Sequence, residues 1–545
     1  MPPSPQEQLN DAIERIVHSK SRKKLVVAGP GAGKTTLFRK LLESGKGEPK
    51  NRLVLTFISS LKADLDRSLS DLASVFTLHG YCQSILRRQG SVRSGLTADF
   101  ECLPGLASLI KGDWKYLKGE PVPQFVEKMR NLEIGGELDF YLARSNYYNA
   151  VDFDDSVFRV YQRLSANHAQ IAPYDSVLID EYQDFNRMEA GLIDLLSIQS
   201  PIVIAGDDDQ ALYSQLRGSS WGLIRSLHRG SEYDKFVLPF CMRCPEVIVG
   251  AVNDIIAKAQ QLRKLPGRIN KPYRHFEPVK GADSKRYPKI DCVSVSVQRS
   301  NANYFGRYIE EAIAKIPKEE IDEANKKGEP AVLIIGAKQY LKQIVEHLTD
   351  RGHTVSTKEE PPPRLEKEIG YKILHENPKS NLGWRLLLEF ANKKLTASII
   401  QKATAAGVPL VEVIPPELQD KILEHVRAWA KEHAAQKEEN KESKSETPQQ
   451  PFIKATSFEG SKGMSAQHIF ICGMHENELP RDSDRIQDIE ICRFVVGLTR
   501  AKKKCSLLHT WRFADQSKRP SPFLSWIQSQ QYEFITVNAD YWKKS

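Results

Sequence analysis

The feature that most constrains the fold is an alternation of short apolar, β-branched runs with helical stretches in the first half of the chain. Each run is followed by polar or glycine-containing residues, as the strands of a parallel sheet are. The predicted strands are residues 25–28, 53–57, 177–179, 202–205 and 236–238. In such sheets, ligands bind where loops gather at the C-terminal ends of the strands. The alternation therefore predicts an α/β fold with helices on both faces of the sheet and functional residues at one edge.

A second α/β region is predicted to open near Ile290. Its clearest strand is at residues 331–335, and a helix follows at residues 339–348. Strands resume near Phe452 and at residues 469–472 after a long interruption. The second half of the chain is therefore expected to form another parallel sheet.

Two stretches interrupt the alternation. Between residues 84 and 170 the strand signal fades, which predicts an inserted, mainly helical region. Residues 358–367 carry three prolines and are interpreted as a linker, whereas residues 370–430 have helical periodicity. Residues 431–450 are charged and poor in apolar side chains, which favours a flexible tract.

The predicted divisions are 1–83 with 171–255 for the first α/β domain, 84–170 for its insertion, 256–360 with 451–545 for the second α/β domain, and 361–450 for a reduced helical insertion plus flexible linker.

The composition is that of an ordinary globular protein. Of 545 residues, 40% are hydrophobic and 27% are charged, with a net charge of +9. A chain of this length is expected to hold roughly two to four domains, and its charge is compatible with a polyanionic partner without demanding one. No apolar run approaches the roughly 18 residues that span a bilayer, and the first residues lack a signal-peptide pattern. We therefore expect a cytoplasmic protein with no membrane partner.

The cysteines indicate a reducing compartment. There are eight, sparse and irregularly spaced, which predicts reduced thiols and no disulfide framework. Cys241 and Cys244 form a C-x-x-C pair around Arg243, but no second pair stands at zinc-ligand spacing. The pair is therefore interpreted as two neighbours of a functional arginine, and no zinc site is expected.

A glycine-rich loop follows the first predicted strand and precedes an apolar helical stretch, as a phosphate-binding loop requires. It reads A-x-x-x-x-G-K-T. The backbone N–H groups of such a loop converge on phosphate oxygens, and the next helix presents its positive N-terminus. Lys34 would reach the β and γ phosphates, and Thr35 would offer a hydroxyl to Mg²⁺. The nucleotide-binding residues predicted in this loop are Ala28, Gly29, Pro30, Gly31, Ala32, Gly33, Lys34, Thr35 and Thr36.

Two adjacent carboxylates end the strand at residues 177–179. Asp180 is suited to hold Mg²⁺, and Glu181 to orient and deprotonate an attacking water. By itself such a pair would more often be a solvated strand end. Together with the glycine-rich loop, it favours hydrolysis of a nucleoside triphosphate.

The motifs, in their order along the chain, resemble those of superfamily 1 helicases of the UvrD/Rep/PcrA type. The box Asp180-Glu181-Tyr182-Gln183-Asp184 is similar to the family's D-E-x-Q-D pattern. Other segments that resemble family motifs are residues 56–57 (TF), 76–79 (FTLH), 206–210 (GDDDQ), 242–245 (MRCP), 461–464 (SKGM) and 497–502 (GLTRAK). The resemblance implies two RecA-like P-loop NTPase motor domains with mainly helical insertions.

The resemblance also implies an activity. It is that of an ATP-dependent 3′–5′ DNA helicase or translocase that requires Mg²⁺ and acts on single-stranded and tailed duplex DNA. In the family, residues matching Gln210, Arg243 and Arg500 act at the γ phosphate. Gln8 is the better candidate for the glutamine that recognises the adenine base in the family, and Gln6 is the alternative.

A DNA track is implied by motif position. Single strands are held by basic groups along the backbone and by aromatic rings on which bases stack. Taken singly, each candidate could equally be a packing or surface residue. The predicted DNA-binding residues are Thr56, Phe57, His79, Tyr213 and Arg217.

The sequence also departs from the family. Met242 stands where the family has a tyrosine, residues 213–218 contain one extra residue, and Glu459 and Ser465 replace the motif V histidine and glutamate. An alternative is therefore a nucleic-acid-stimulated ATPase switch that remodels or loads a protein partner, such as a nuclease, without unwinding. RNA is a lesser alternative to DNA.

Overall fold

The computed structural model describes residues 3–88, 96–213, 218–295, 303–357, 365–439, 450–513, 516–538 and 540–543. Two parallel sheets flanked by helices dominate these residues, and the predicted α/β fold with helical insertions is confirmed. In the described ranges, no helix has both the length and the apolar character needed to cross a membrane.

The chain opens with the predicted alternation of helices and strands. The elements up to residue 88 are α1 (Pro5–His18), β1 (Lys23–Ala28), α2 (Lys34–Ser44), β2 (Arg52–Thr56), α3 (Ser59–Leu69), β3 (Ser74–Thr77) and α4 (Leu78–Arg88). Helix α1 begins with a capping box, in which the side chains of Ser4 and Glu7 each accept a hydrogen bond from the other residue's backbone N–H. This box satisfies donors that have no partner within the helix.

The first insertion is mainly helical, as predicted. Its elements are β4 (Glu101–Cys102), α5 (Leu106–Leu117), α6 (Phe125–Arg130), α7 (Gly136–Tyr148), β5 (Ala150–Val151) and α8 (Phe153–Ala166). The two short strands pair in parallel with each other and join neither large sheet. The insertion is therefore a helical body attached to the first sheet.

The chain then completes the first sheet. The next elements are β6 (Ser176–Ile179), α9 (Arg187–Gln199), β7 (Ile202–Gly206), α10 (Trp221–Arg229) and β8 (Asp234–Leu238). The strand order is β3-β2-β6-β7-β1-β8, with every pairing parallel. The five predicted strands are all present, with bounds shifted by no more than two residues. Strand β3 was not predicted, because it is short and only one of its side chains is fully buried.

The chain then passes from the first large sheet to the second. The elements in this stretch are β9 (Phe240–Cys241), α11 (Glu246–Gln261), β10 (Arg274–His275), α12 (Glu277–Arg286), β11 (Ile290–Val295), α13 (Asn303–Ala314), α14 (Lys318–Lys326), β12 (Val332–Gly336), α15 (Lys338–Asp350) and β13 (Val355–Ser356). Helix α11 crosses the predicted division at residue 255, and its buried face shares a core with Phe494 and Phe523 of the second region. The exact domain divisions stay predictions.

The second insertion is a group of helices. They are α16 (Lys367–Glu376), α17 (Asn381–Glu389), α18 (Lys393–Ala406), α19 (Leu410–Val413) and α20 (Pro416–Glu439). The expectation of a flexible tract from residue 431 is wrong for residues 431–439, which continue α20. These residues are rich in alanine, glutamate, glutamine and lysine, which are good helix formers even without apolar side chains. The predicted linker at 358–364 and the tract at 440–449 lie outside the described residues.

The rest of the chain completes the second sheet. Its elements are β14 (Ile453–Thr456), β15 (Ala466–Cys472), α21 (Asp488–Leu498), β16 (Ala501–Thr510), β17 (Arg512–Phe513), β18 (Gln516–Ser517) and β19 (Tyr532–Val537). The order of this seven-stranded sheet is β13-β14-β12-β15-β16-β11-β19, and its strands pair in parallel. The predicted strands at 331–335 and 469–472 correspond to β12 and β15.

The two insertions pack against each other, although more than 200 residues separate them in the chain. Buried side chains of α17 and α18 belong to the same apolar core as those of α5 and α7. Within this contact, the carboxylate of Asp113 accepts hydrogen bonds from Nε of Arg144 and Nε of Arg385, both at 2.8 Å. Asp113 and Arg385 are fully buried. A charged cluster therefore joins the insertions inside an otherwise apolar core.

Candidate nucleotide site between the two sheets

The glycine-rich loop between β1 and α2 adopts a backbone that suits glycine. Gly31 and Gly33 have φ angles of +69° and +85°, in the left-handed region that other residues avoid. Gly33 is the N-cap of α2, and no side chain caps this helix end. The first N–H groups of α2 are therefore available to an anion, where the helix dipole also favours negative charge.

Side chains from a later segment lie directly against this loop. A Cβ atom added at Gly29 would stand 2.7 Å from a ring carbon of Tyr273, and one at Gly31 would stand 2.5 Å from Cβ of Arg243. Both distances are shorter than carbon atoms tolerate. The contacting pairs are Gly29 with Tyr273, Gly31 with Arg243, and Gly33 with Met242. The absence of a Cβ atom at these three glycines therefore also allows Met242, Arg243 and Tyr273 to lie directly against the loop.

The two acids after β6 lie beside Lys34. Asp180 and Glu181 are 5% and 8% exposed, and the ammonium of Lys34 contacts Glu181 directly and lies 3.6 Å from Oδ1 of Asp180. Burial opposes ionisation of Glu181, but Lys34 outweighs it and lowers the pKa to about 2. For Asp180 burial wins over Lys34 and raises the pKa to about 6. Burial also opposes the charge of Lys34, yet the two carboxylates raise its pKa.

A glutamine network connects these acids to the end of β7. Nε2 of Gln183 donates to Glu181 at 2.5 Å, and the Gln183 side-chain oxygen accepts from the backbone N–H of Asp207 at 2.9 Å. The side chain of Gln210 in turn donates to Asp207 at 2.9 Å. All these groups are buried, and their hydrogen bonds form a continuous connection from Glu181 to Gln210.

Arg500 reaches this network from the turn after α21, and Arg243 lies near it in the turn after β9. Nη2 of Arg500 donates to the side-chain oxygen of Gln210 at 3.1 Å, and Nη1 of Arg243 donates to the carbonyl of Thr499 at 3.3 Å. Burial, and then the positive charge of Arg243, lower the pKa of Arg500 to about 10. Among the described residues, neither arginine has an ion pair with a carboxylate. The repulsion between them would be relieved by an anion such as a phosphate.

Further contacts join the two sides of the site. Nζ of Lys462 lies 2.5 Å from Oδ2 of Asp184 and donates to the carbonyl of Gln210 at 2.6 Å. The hydroxyl of Tyr213 donates to the carbonyl of Glu459 at 3.2 Å. The sequence assigned residues 461–464 to a motif but gave Lys462 no role of its own. Only the fold brings Lys462 to Asp184, because 277 residues lie between them in the sequence.

Three consecutive aspartates after β7 resemble a metal site but are already neutralised. Their carboxylate oxygens lie within 4.8 Å of one another. Nζ of Lys271 lies 2.8 Å from Asp207, 2.7 Å from Asp208 and 2.8 Å from Asp209, and Arg268 pairs with Asp209 at 2.7 Å. The three aspartates therefore pair with basic side chains, and these ion pairs restrain the segment that directly precedes Gln210. Lys271 and Arg268 stand in a loop that carries no motif, so the sequence did not reveal them.

Thr35 and Asp180 fit a magnesium ion by the chemistry of their donors. A hydroxyl and a carboxylate are hard oxygen ligands, as Mg²⁺ prefers. Oδ1 of Asp180 is buried without a hydrogen-bond partner in the described part of the chain. Thr35 is partly buried on the first turn of α2, whereas Thr36 is exposed.

Of the two glutamine candidates for adenine, Gln8 is the one that faces another segment. Its side-chain oxygen accepts from Nη1 of Arg274 at 3.1 Å, and Arg274 directly follows Tyr273, which covers Gly29. Gln6 is exposed and bonds Asn10 on its own helix.

Most of the predicted DNA-track residues are in contact with protein groups. The ring of Phe57 is 4% exposed and lies 5.4 Å from that of Tyr213. His79 lies 3.5 Å from Glu189, and the hydroxyl oxygen of Thr56 is buried without a hydrogen-bond partner among the described residues. The remaining candidate, Arg217, lies outside the described residues. A role in binding DNA stays a prediction for all of them.

The fold and the site together define a P-loop nucleotide-binding protein whose site is completed by two arginines, Arg243 and Arg500, from segments that follow the first sheet. A family model described as the UvrD/REP helicase N-terminal domain matches residues 9–109 and 126–230. On this match and the relatives below, the chain is similar to the superfamily 1 helicases of the UvrD/Rep type.

The curated relatives agree with this family. A probable DNA helicase II homolog of Mycoplasma genitalium is 21% identical over 97% of this chain and 89% of its own length. The ATP-dependent DNA helicase UvrD1 of Mycobacterium tuberculosis is 27% identical over 47% of this chain, and the match spans 40% of that relative. DNA helicase II of Salmonella typhimurium is 24% identical over 38% of this chain and 34% of its own length. The match to the Mycoplasma genitalium protein spans nearly the whole chain.

Proposed function

We propose that this chain is a DNA helicase that couples ATP hydrolysis to 3′–5′ movement on single-stranded DNA and to unwinding of tailed duplexes. One observation carries the ATPase part. Arg243 and Arg500 are held together without an acidic partner in the described residues, beside the glycine-rich loop and Lys34. Such a set of cations is suited to the charge that develops on a transferring phosphoryl group. Similarity to the UvrD/Rep helicases supports DNA as the track.

The residues of the site divide the chemistry between them. Lys34 would leave Glu181 for the β and γ phosphates of ATP, which frees Glu181 to orient and deprotonate a water. Arg243 and Arg500 would stabilise the charge of the transition state. Thr35 and Asp180 would hold Mg²⁺, which neutralises phosphate charge when bound. The low pKa of Glu181 reflects Lys34, so departure of Lys34 would make Glu181 a stronger base.

Coupling to DNA would use the contacts between the two sheets. Gln210 contacts Arg500 through its side chain and Lys462 through its carbonyl, so a change at the phosphate would move the second domain. Closure with ATP and release after hydrolysis would then step the protein along a strand.

The first test is steady-state ATP hydrolysis with and without single-stranded DNA. Lys34→Ala removes the cation that binds the phosphates, so hydrolysis should fall by about a hundredfold or more. Lys40→Ala is the matched control, because Lys40 is exposed on the same helix. Full activity of Lys34→Ala, measured on protein with an unchanged circular dichroism spectrum, would refute the assignment.

The second test separates unwinding and polarity. Duplexes with a 3′ tail should be displaced with ATP, and duplexes with a 5′ tail should not. Displacement from the 5′ tail alone would contradict the proposed direction.

A nucleic-acid-stimulated switch that loads or remodels a partner is the second candidate. The observation that favours it is the burial of Phe57 against Tyr213, because an enclosed ring offers no face to a base. DNA-stimulated hydrolysis without displacement of either duplex would support the switch.

A further inference from the structure

We propose that Cys241 and Cys244 form a thiol modification site, at which a small-molecule disulfide oxidises the pair to an internal disulfide and stops ATP turnover. The effect on turnover rests on the proposed ATPase function. Formation of the disulfide does not.

The two thiols are already neighbours in a turn. Cys241 ends β9, and Cys244 stands two residues before α11. The backbone N–H of Cys244 donates to Sγ of Cys241 at 3.4 Å. Residues three apart in a turn have the Cα separation that a disulfide requires. Closing the bond therefore needs only a local change.

The environment distinguishes an attacking thiol from a resolving one. Burial would raise the pKa of Cys241, but hydrogen bonds from the Cys244 thiol, the Tyr273 hydroxyl and two backbone N–H groups lower it to about 6. Burial raises the pKa of Cys244. Of the two thiols, Cys241 is therefore the better nucleophile.

The other cysteines lack this arrangement. Burial raises the pKa of every one of them, which makes them poor nucleophiles. They are Cys82, Cys102, Cys292, Cys472, Cys492 and Cys505.

The oxidation balances as two thiol–disulfide exchanges. The Cys241 thiolate attacks one sulfur of glutathione disulfide, which forms a mixed disulfide and releases one glutathione thiolate. Cys244 then loses its proton to water and attacks the Cys241 sulfur, which releases the second glutathione thiolate. The protein loses two hydrogens and two electrons, and one glutathione disulfide becomes two glutathione molecules.

The new bond would disturb the nucleotide site, because Arg243 lies between the two cysteines. Sγ of Cys244 contacts the carbonyl of Thr499 at 3.6 Å, and Arg243 donates to the same carbonyl at 3.3 Å. Drawing Cys244 toward Cys241 breaks the first contact and pulls on the second. Arg243 also packs on Gly31, so the strain reaches the phosphate-binding loop.

Both thiols are fully buried where the two domains meet. Oxidation therefore requires the domains to separate, and we expect it in nucleotide-free protein. A nonhydrolysable ATP analogue that holds the domains together should slow it.

The experiment treats the full-length protein with glutathione disulfide, then divides each sample between ATPase assay and non-reducing peptide mass mapping. In wild type, the peptide that contains Cys241 and Cys244 should lose the mass of two hydrogens. ATP turnover should fall by about a hundredfold, as expected for a displaced catalytic group, and dithiothreitol should restore both. Cys241→Ser should give the same turnover with and without oxidant, Cys244→Ser should stop at a mixed disulfide that adds one glutathione to the peptide containing Cys241, and the control Cys292→Ser should behave as wild type.

A fully reduced peptide in folded, oxidant-treated, nucleotide-free protein would overturn the proposal, and so would a complete disulfide that leaves turnover unchanged. Inhibition of Cys241→Ser by the oxidant to the same extent as wild type would assign the effect to another cysteine and overturn it as well. Absence of ATP hydrolysis in the reduced wild type would contradict the proposed function instead, and the mapping would then decide the thiol chemistry by itself.

Discussion

At the residue scale, the arginine pair has the most direct bearing on catalysis. Arg500 is 2% exposed and its pKa is lowered by burial and by Arg243. This repulsion destabilises the nucleotide-free protein. The two charges are therefore placed to bind an anion and do not stabilise the free protein.

Arg243→Ala and Arg500→Ala should therefore each reduce kcat more than nucleotide affinity. We expect kcat to fall by about a hundredfold or more, because the positive charge acts mainly on the transition state. Single-turnover hydrolysis and binding of a fluorescent ATP analogue measure the two quantities. Arg519→Ala is the control, since its side chain is 80% exposed. Equal losses of rate and affinity would indicate a role in ground-state binding.

A second residue-scale prediction concerns Glu478, in the loop after β15. Burial opposes its charge, but hydrogen bonds from His475, Lys518 and Tyr340 lower its pKa from the ordinary 4.5 to about 2. A folded-state pKa below the unfolded value gives stability that is present above pH 4.5 and is lost as the pH falls toward 2. Glu478→Gln should therefore lower the free energy of unfolding at pH 7, and the difference from wild type should shrink below pH 4.5.

Urea denaturation at several pH values measures this difference. Glu476→Gln serves as control, because Glu476 is more exposed and its nearest ion pair is 3.9 Å long. A difference between Glu478→Gln and wild type that does not change with pH would rule out the proposed ionisation.

The sequence predicted residues that stand in motifs and missed those that act through the fold. Lys34, Asp180 and Glu181 were found because each follows a strand in a recognisable pattern, and these three are in contact. Lys271 has no neighbouring pattern, and only folding brings it to the three aspartates. The burial of Phe57 could not be predicted from the sequence either, since it depends on Phe185 and Tyr213 from other segments.

At the scale of elements, the charged contact between the insertions joins helices from distant parts of the chain. Arg385 on α17 and Arg144 on α7 both bond Asp113 on α5. A buried ion pair adds little net stability, but removing one partner leaves a charge that water cannot reach.

Arg385→Leu should consequently weaken the contact between the insertions by about 3–5 kcal/mol. Hydrogen exchange in α5 and α17 measures the free energy of local opening. Arg427→Leu is the control, because Arg427 is exposed on α20. Unchanged exchange in both helices would show that Arg144 alone compensates Asp113.

The elements themselves were predicted best where burial imposes an apolar run. Strands β1, β2, β6, β7 and β8 were found within two residues of their bounds. Residues 431–439 lack such a run, so composition suggested flexibility whereas the intrinsic helix propensity of the residues prevailed. The packing of one insertion on the other had no signal in a single sequence.

At the scale of the whole molecule, Lys462 is a connection between the two sheets. It pairs with Asp184 and bonds the carbonyl of Gln210, and its side chain is 2% exposed. It thus contacts both the acidic box and the segment that carries Gln210.

Lys462→Met should uncouple DNA from hydrolysis. We expect DNA-stimulated turnover to fall by about tenfold or more, because the domains no longer align the arginines, with little change in ATP affinity. The measurement is ATPase activity as a function of DNA concentration. Lys342→Met on α15 is the control, with a side chain that is 75% exposed. Normal stimulation in Lys462→Met would show that this contact does not transmit the signal.

The close approach of Tyr273, Met242 and Arg243 to the three glycines of the phosphate-binding loop also bears on natural variation. Because there is no room for a Cβ atom, a larger residue at one of these glycines requires a smaller or displaced partner opposite it. In an alignment of homologues, we expect positions 29 and 273 to change as a pair, whereas positions 31 and 33 should stay glycine because their φ angles of +69° and +85° disfavour other residues. Such covariation would identify this cover of the loop as a feature inherited together with the loop itself.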